Sequence, residues 1–247
     1  RVDLADLLKD ASFIVTVSDF SLQRLSESFS EAAGKIYRVY NGVDLSIFKP
    51  AMPPAGPVKL LSIGRLIEKK GFIYLIKACR LLVDRGVDFE CKIVGEGPER
   101  GALEESIQSN QLEKQVLLTG ALSQPEIVDL LARSSIFVFP AIHDRQGDTD
   151  NLPTVLIEAM ASRLALVATN VAGIPEIVDH KRNGILVPEK DAVRLADALQ
   201  NLSSTPSLLN QYGEASRQIA EQKFSLTNTI AGLRRVFEKY DLAGRSS

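Results

Sequence analysis

The sequence holds little of what builds metal sites, disulfide scaffolds or membrane spans. Its two cysteines, Cys79 and Cys91, are too few for a disulfide framework and lack metal-ligand spacing. They read as small buried apolar residues of a reducing compartment. Two histidines, His143 and His180, argue against a zinc site of the common ligand types. No stretch approaches the ~20 apolar residues that span a bilayer. The longest runs, "SSIFVFPAI" and "LALVATNVAG", have the length of strands. Excess charge is missing too: 29 Lys and Arg face 31 Asp and Glu, for a net charge of -2. That balance argues against a dedicated nucleic-acid binder. There is no basic-then-apolar leader at the start. The chain opens at Arg1 into the amphipathic pattern Leu4, Leu7, Leu8 and Ala11, and is expected to be a cytoplasmic piece of a longer protein.

What is present is a rhythm. Runs rich in Val, Ile and Phe, at 13–17, 36–40, 58–63, 89–94, 115–119, 136–139, 165–169 and 185–187, alternate with segments of helical period. The helices are expected near 19–29, 71–85, 98–109, 124–133, 153–162, 191–202, 206–222 and 226–240. Nearly continuous apolar strands between helices predict an α/β fold with a doubly wound, Rossmann-like parallel sheet covered on both faces. "SQPE" at 123–126 is a capping box that fixes one helix start. From Asn41 to Pro57 four prolines and two glycines interrupt the pattern, as an interdomain linker does. The expected division is therefore a remnant of a preceding domain at 1–48, a hinge at 49–57, a nucleotide-binding domain at 58–225 and a terminal helix at 226–247 packing back toward the preceding domain.

Ligands of open parallel sheets bind beyond the carboxyl ends of the strands, so the loops there are the ones to search. In "SIGRLIEKKG", Gly64 permits close backbone approach, and Arg65 and Lys70 flank a turn into a helix near Gly71. A guanidinium and an ammonium beside a helix start make a cradle for a diphosphate; the plain alternative is a solvated basic patch that includes Lys69. "VGEGPERG" fails the dinucleotide fingerprint, because Arg100 stands where the third glycine belongs and Gly101 comes one place late. It reads instead as a tight strand-to-helix turn. In "GDTDNLPTVLIEAMA", Pro153 suits the first helical position, with Asn151 or Leu152 as the cap. The amides of Asn151, Leu152, Thr154 and Val155 are then open to an anion. Asp150 stands at that mouth. Glu158 lies a turn and a half inside among apolar residues and needs a polar partner, such as ribose hydroxyls or backbone amides. His143, Asp144 and Arg145 read as a solvated loop.

"SIGRLIEKKGF", "DNLPTVLIEAMA" and "VAGIPEIV", in this order and spacing, resemble the donor-binding half of the retaining glycosyltransferases of family four, which have the two-domain GT-B architecture. "VTVS", "YNGVD" and "FKP" resemble the end of that family's first domain and its hinge. The resemblance implies transfer of a hexosyl-type sugar from a nucleoside-diphosphate sugar, with retention and without a metal or other cofactor. It implies that Arg65 and Lys70 hold the diphosphate, Glu158 the ribose and Asp150 the sugar hydroxyls. The amides of Asn151, Leu152, Thr154 and Val155 would bind sugar and phosphate, and backbone around Leu122 the base. Two departures stand out: Asp150 replaces the family's usual glutamate, and Asn151-Leu152-Pro153 a more glycine-rich run. The implied partners are a nucleotide-sugar and, through a preceding domain, a growing polysaccharide, glycolipid or similar glycan, with peripheral attachment to the inner face of a membrane open. An isolated fragment of this extent is expected to bind nucleotide but transfer little sugar. Competing readings are a dinucleotide-dependent oxidoreductase, another GT-B enzyme such as an epimerase or phosphorylase, and a binding module without catalysis.

Overall fold

The computed structural model describes residues 4–50 and 56–244. Six strands form one parallel sheet in the order β5-β4-β3-β6-β7-β8: Val58–Ile63 (β3), Phe89–Val94 (β4), Val116–Gly120 (β5), Ile136–Phe139 (β6), Ala165–Thr169 (β7) and Gly184–Val187 (β8). Successive residues of a strand point to opposite faces, and here both faces are covered. Ile136 and Val138 enter one core with helices Phe72–Asp84 (α3), Arg100–Ser109 (α4) and Ala192–Ser203 (α8). Phe137 and Phe139 enter the other, with Gln124–Ala132 (α5), Thr154–Ala161 (α6), the short Ile174–Ile177 (α7) and Pro206–Lys223 (α9). Burial on both sides is why these strands read as unbroken apolar runs. The sheet is the doubly wound α/β arrangement expected from the sequence, with strand ends displaced by at most two residues.

A separate pair of parallel strands, Ile14–Thr16 (β1) and Ile36–Arg38 (β2), is flanked by Leu4–Asp10 (α1) and Asp19–Ser28 (α2). The last helix, Leu226–Gly244 (α10), lies against this pair: Phe13 stacks edge-on with Phe237 at 5.2 Å, and the Tyr37 and Tyr240 hydroxyls are 3.2 Å apart. Between the two sheets, the start of the proline-rich stretch is packed. The Val43 amide donates to the Phe224 carbonyl at 3.0 Å, Phe48 is buried, and Arg217 Nη1 donates to the carbonyls of Phe48 and Ala161 at 3.2 and 2.6 Å. Most of the hinge expected at 49–57 lies outside the described residues. Among the described residues no helix is long and apolar enough to cross a membrane. Cys79 and Cys91 are free and buried.

Candidate functional site

After β3 the chain builds β4 and β5 outward on one side. It then returns to lay β6 against the other side of β3. Such a reversal leaves a crevice beyond the carboxyl ends of the two central strands. The loop after β3 and the loop after β6 meet there.

The first loop is shaped by glycines. The Gly64 amide donates to the Val94 carbonyl and the Leu66 amide to the Glu96 carbonyl, both at 2.9 Å, so the loops after β3 and β4 run side by side. A side chain on Gly95 (φ +145) would overlap the Gly64 carbonyl, and one on Gly97 the Leu66 carbonyl. These glycines allow loop contact, while Arg100 is ion-paired with Glu96 and Glu104. One 3-10 turn, Glu68–Lys70, leads to Gly71, which caps α3 in the left-handed conformation (φ +66). A Cβ there would overlap the Pro140 carbonyl, so the two switch-point loops touch backbone to backbone.

Cross-links fasten the second loop. Lys70 Nζ lies 2.9 Å from both Asp150 oxygens and donates to Oδ1, with side-chain exposures of only 14% and 16%. Asp150 Oδ2 is buried and makes no well-directed hydrogen bond. Lys70 Nζ also sits 4.9 Å from the centre of the Phe139 ring. Beside this pair, Lys69 binds Asp148 at 2.8 Å, a hydrogen bond that raises the lysine's pKa and lowers the aspartate's. The Ile142 amide donates to the Lys69 carbonyl at 2.9 Å. Glu189, beyond β8, accepts from the His143 amide at 2.7 Å and lies 2.9 Å from its Nδ1. Burial pushes the Glu189 carboxyl up, but the His143 contacts more than reverse this and hold it below the usual glutamate value. Asp144 Oδ1 accepts from the Gln146 and Asp148 amides, both at 2.9 Å. His143 and Asp144 are thus structural fasteners rather than freely solvated residues, whereas Arg145 is exposed as expected.

The start of α6 differs from the expectation. Pro153 is the N-cap, with ψ 116, and Thr154 is the first helical residue. Proline fits either place because neither needs its missing N–H, and its extended ψ here decides for the cap. Asn151 and Leu152 therefore precede the helix. The Thr154 and Val155 amides lie in its first turn, where no preceding turn supplies an acceptor. Leu152 is buried in the core, whereas the Asn151 side chain reaches α2: Oδ1 accepts from Ser18 Oγ at 2.7 Å and Nδ2 donates to Ser21 Oγ at 2.5 Å. Glu176, on α7, accepts from the Asp19 and Phe20 amides at 2.8 and 2.9 Å. Sequence reasoning missed Glu176 and Glu189, because each works through a partner far away in the chain.

Glu158 is half-buried on α6. Among the described residues nothing donates to it, and burial raises its pKa. Arg65 is exposed and has no carboxylate partner among the described residues. Leu122 follows β5, two strands from β3, and packs against the core around α5 and α6. The structure thus brings Lys70 and Asp150 into contact beside Asn151, and Leu122 packs on the core cluster that also takes Leu152 and Val155. Among the described residues the Arg65 guanidinium has no carboxylate partner, whereas the Lys70 ammonium is offset by Asp150, and the first-turn amides of Thr154 and Val155 follow in the chain. The fold is that of a parallel α/β protein with helices on both faces of its sheet.

Residues 46–219 match the family model described as glycosyl transferases group 1, and the chain belongs to that family. It is 36% identical over 199 residues to the putative colanic acid biosynthesis glycosyltransferase WcaL of Escherichia coli strain K12, covering 80% of this chain and 49% of the relative. The chain spans about half the length of the curated relatives it matches. Among solved structures, sucrose-phosphate synthase from Thermosynechococcus elongatus superimposes with a TM-score of 0.84 at 22% identity, covering 97% of this chain and 61% of that one. Anabaena Alr3699/HepE in complex with UDP gives 0.79 at 20% identity, covering 97% and 68%. These similarities show the same GT-B type of fold.

Proposed function

We propose that this chain carries the donor site of a retaining glycosyltransferase of family four, which moves a hexosyl-type sugar from a nucleoside diphosphate to a glycan or lipid-linked acceptor. The observation that carries the reading is the switch-point crevice, where Arg65 has no carboxylate partner among the described residues and Lys70 is held by Asp150 at 2.9 Å beside the α6 start. Relatives named for glycosyl transfer and a UDP-bound structural neighbour support it.

In this reading Arg65 and Lys70 neutralise the charge that builds on the leaving diphosphate, the role a metal plays elsewhere. The first-turn amides of Thr154 and Val155 add to that field. Asp150, oriented by Lys70, accepts from sugar hydroxyls, and Glu158 accepts from the ribose. The Asn151 and Leu152 amides lie at the approach to the helix, and the loop at Leu122 meets the base. The acceptor binds largely to the preceding half of the longer protein, in the cytoplasm or peripherally on the inner face of the membrane. The isolated chain binds nucleotide but transfers little sugar.

Calorimetric titration with UDP, GDP and ADP tests this directly. Selective binding of one nucleotide, abolished in Arg65→Ala/Lys70→Ala, is the expected result. Equal binding by the double variant, or protection by NAD and by none of the three, would overturn it.

A further inference from the structure

A cleft of about 770 Å3, lined by none of the switch-point residues, opens between β2, the end of α9 and the first half of α10. Arg38, Lys223 and Arg235 line it, and Asp19 is the one acid among its described lining residues. Asp19 is already neutralised: Arg38 Nε binds its Oδ1 at 3.0 Å. The Tyr40 hydroxyl donates to its Oδ2 at 3.2 Å, and burial, then Glu176, push the Tyr40 pKa up, so this phenol stays neutral. Arg38 is further held with its guanidinium carbon 4.0 Å from the centre of the Tyr40 ring. Only its Nε enters the pairing, which leaves its terminal nitrogens for the cleft.

The other two cations have no carboxylate partner among the described residues. Among the described residues nothing pairs with Lys223, and Arg235 makes one hydrogen bond, from Nε to the Ala231 carbonyl at 3.3 Å. For an arginine that is unusual in this protein. Among the described arginines, all except Arg24, Arg65 and Arg235 have a carboxylate within 4.0 Å. One of the exceptions, Arg65, stands in the candidate donor crevice. Arg235 occupies a second concavity, with two further cations on its walls and Asp19 satisfied. The three cations are exposed, and like charges gathered around a concave surface focus the potential and concentrate anions. Guanidinium forks match phosphate oxygens two at a time.

We propose that this cleft is a second anion site, separate from the donor crevice, that takes the phosphate group of a phosphorylated ligand between Arg38, Lys223 and Arg235. The phosphate belongs either to a soluble phosphorylated sugar or to a lipid headgroup, and the test separates the two.

The full chain is titrated by calorimetry with inorganic phosphate and with glucose 6-phosphate, and sedimented with vesicles of phosphatidylcholine alone or with phosphatidylglycerol. Each arm compares wild type, Lys223→Ala/Arg235→Ala and Arg65→Ala/Lys70→Ala. The expected result is phosphate or sugar-phosphate binding that survives in Arg65→Ala/Lys70→Ala and weakens at least about tenfold in Lys223→Ala/Arg235→Ala, the scale of lost charge-assisted hydrogen bonds. Vesicle binding that needs phosphatidylglycerol and shows the same variant pattern, without soluble-phosphate binding, assigns the phosphate to a lipid. Binding lost only in Arg65→Ala/Lys70→Ala would place phosphate in the donor crevice and overturn the second site. Binding equal in all three proteins, or none in any arm, would overturn it as well. Loss of nucleotide binding in Arg65→Ala/Lys70→Ala is read separately, so failure of either site leaves the other standing.

Discussion

Replacing Lys70 by methionine should cost the protein stability as well as the proposed nucleotide binding. Lys70 and Asp150 face each other at 2.9 Å with side-chain exposures of 14% and 16%, so solvent screens the pair little. Removing one partner of a buried pair costs about 3–5 kcal/mol, because the other charge is left uncompensated. The residual exposure places Lys70→Met near the lower end, about 3 kcal/mol. Asp150 would be stranded with Oδ2 already lacking a directed hydrogen bond. Asp150→Asn should cost less, about 1–2 kcal/mol, since the ammonium keeps the Phe139 ring 4.9 Å away as a weak partner. The double variant should then be more stable than the sum of the singles predicts, by about 1–3 kcal/mol, as for other directly interacting groups. Urea unfolding of the four proteins closes the cycle, and in a thermal scan about 3 kcal/mol lowers Tm by roughly 6–12 °C at this size. If Lys70→Met stays within about 0.5 kcal/mol of wild type, or the two changes add, the pair is not held as described. The charge argument for the crevice would fall with it.

Two further outcomes follow from the same geometry. Burial raises the Glu158 pKa above the ordinary 4.5, so the folded protein holds this proton more tightly than the unfolded chain. The penalty is therefore absent below the unfolded pKa and is fully present once pH has risen through the folded value. Glu158→Gln should gain stability at pH 7.5 and lose that advantage toward pH 4 in urea unfolding. A difference that does not change with pH would refute the assignment, and nucleotide binding by wild type should weaken as pH falls through the same range. Gly71→Ala and Gly86→Ala meet similar left-handed φ values, +66 and +70, but only the first overlaps a backbone carbonyl, that of Pro140. Gly86→Ala should cost about 1 kcal/mol, and Gly71→Ala more than about 3 kcal/mol or the fold itself. Equal Tm losses would show that the loops do not abut.

The strands were legible because both faces of the sheet are buried. Ile136 and Val138 serve one core and Phe137 and Phe139 the other, which leaves an unbroken apolar run no surface strand would carry. Cap chemistry was legible as well: Glu126 Oε2 accepts from the Ser123 amide at 2.8 Å, as "SQPE" suggests. The α6 start was misplaced by one residue because proline suits the cap and the first helical position alike. The site was legible by residue type and not by partnership. Nothing within "EKKG" says that Lys70 will meet a carboxylate 80 positions later. That meeting exists because β6 lies beside β3, a consequence of where the chain reverses across the sheet.

The residues that hold the site follow the same logic. Glu189 grips His143 across 46 positions, Glu176 caps α2 across 157, and Asn151 spends its side chain on Ser18 and Ser21. Each is an unremarkable polar residue at the end of a strand or short helix, and each gains meaning only from an element that the fold carries to it. Arg217 makes the point most sharply. Its spacing to Glu221 fits an ordinary surface pair, and that pair forms at 2.7 Å. Yet Nη1 also donates to the carbonyls of Phe48 and Ala161, tying the start of the proline-rich segment to the end of α6. Hydrogen bonds from a charged donor contribute about 1.5–3 kcal/mol, against a few tenths for an exposed helical pair. The contact that sequence spacing reveals is therefore the weaker one. The stronger is set by topology, and it joins the helix that opens on the candidate donor crevice to the segment leading back to β2.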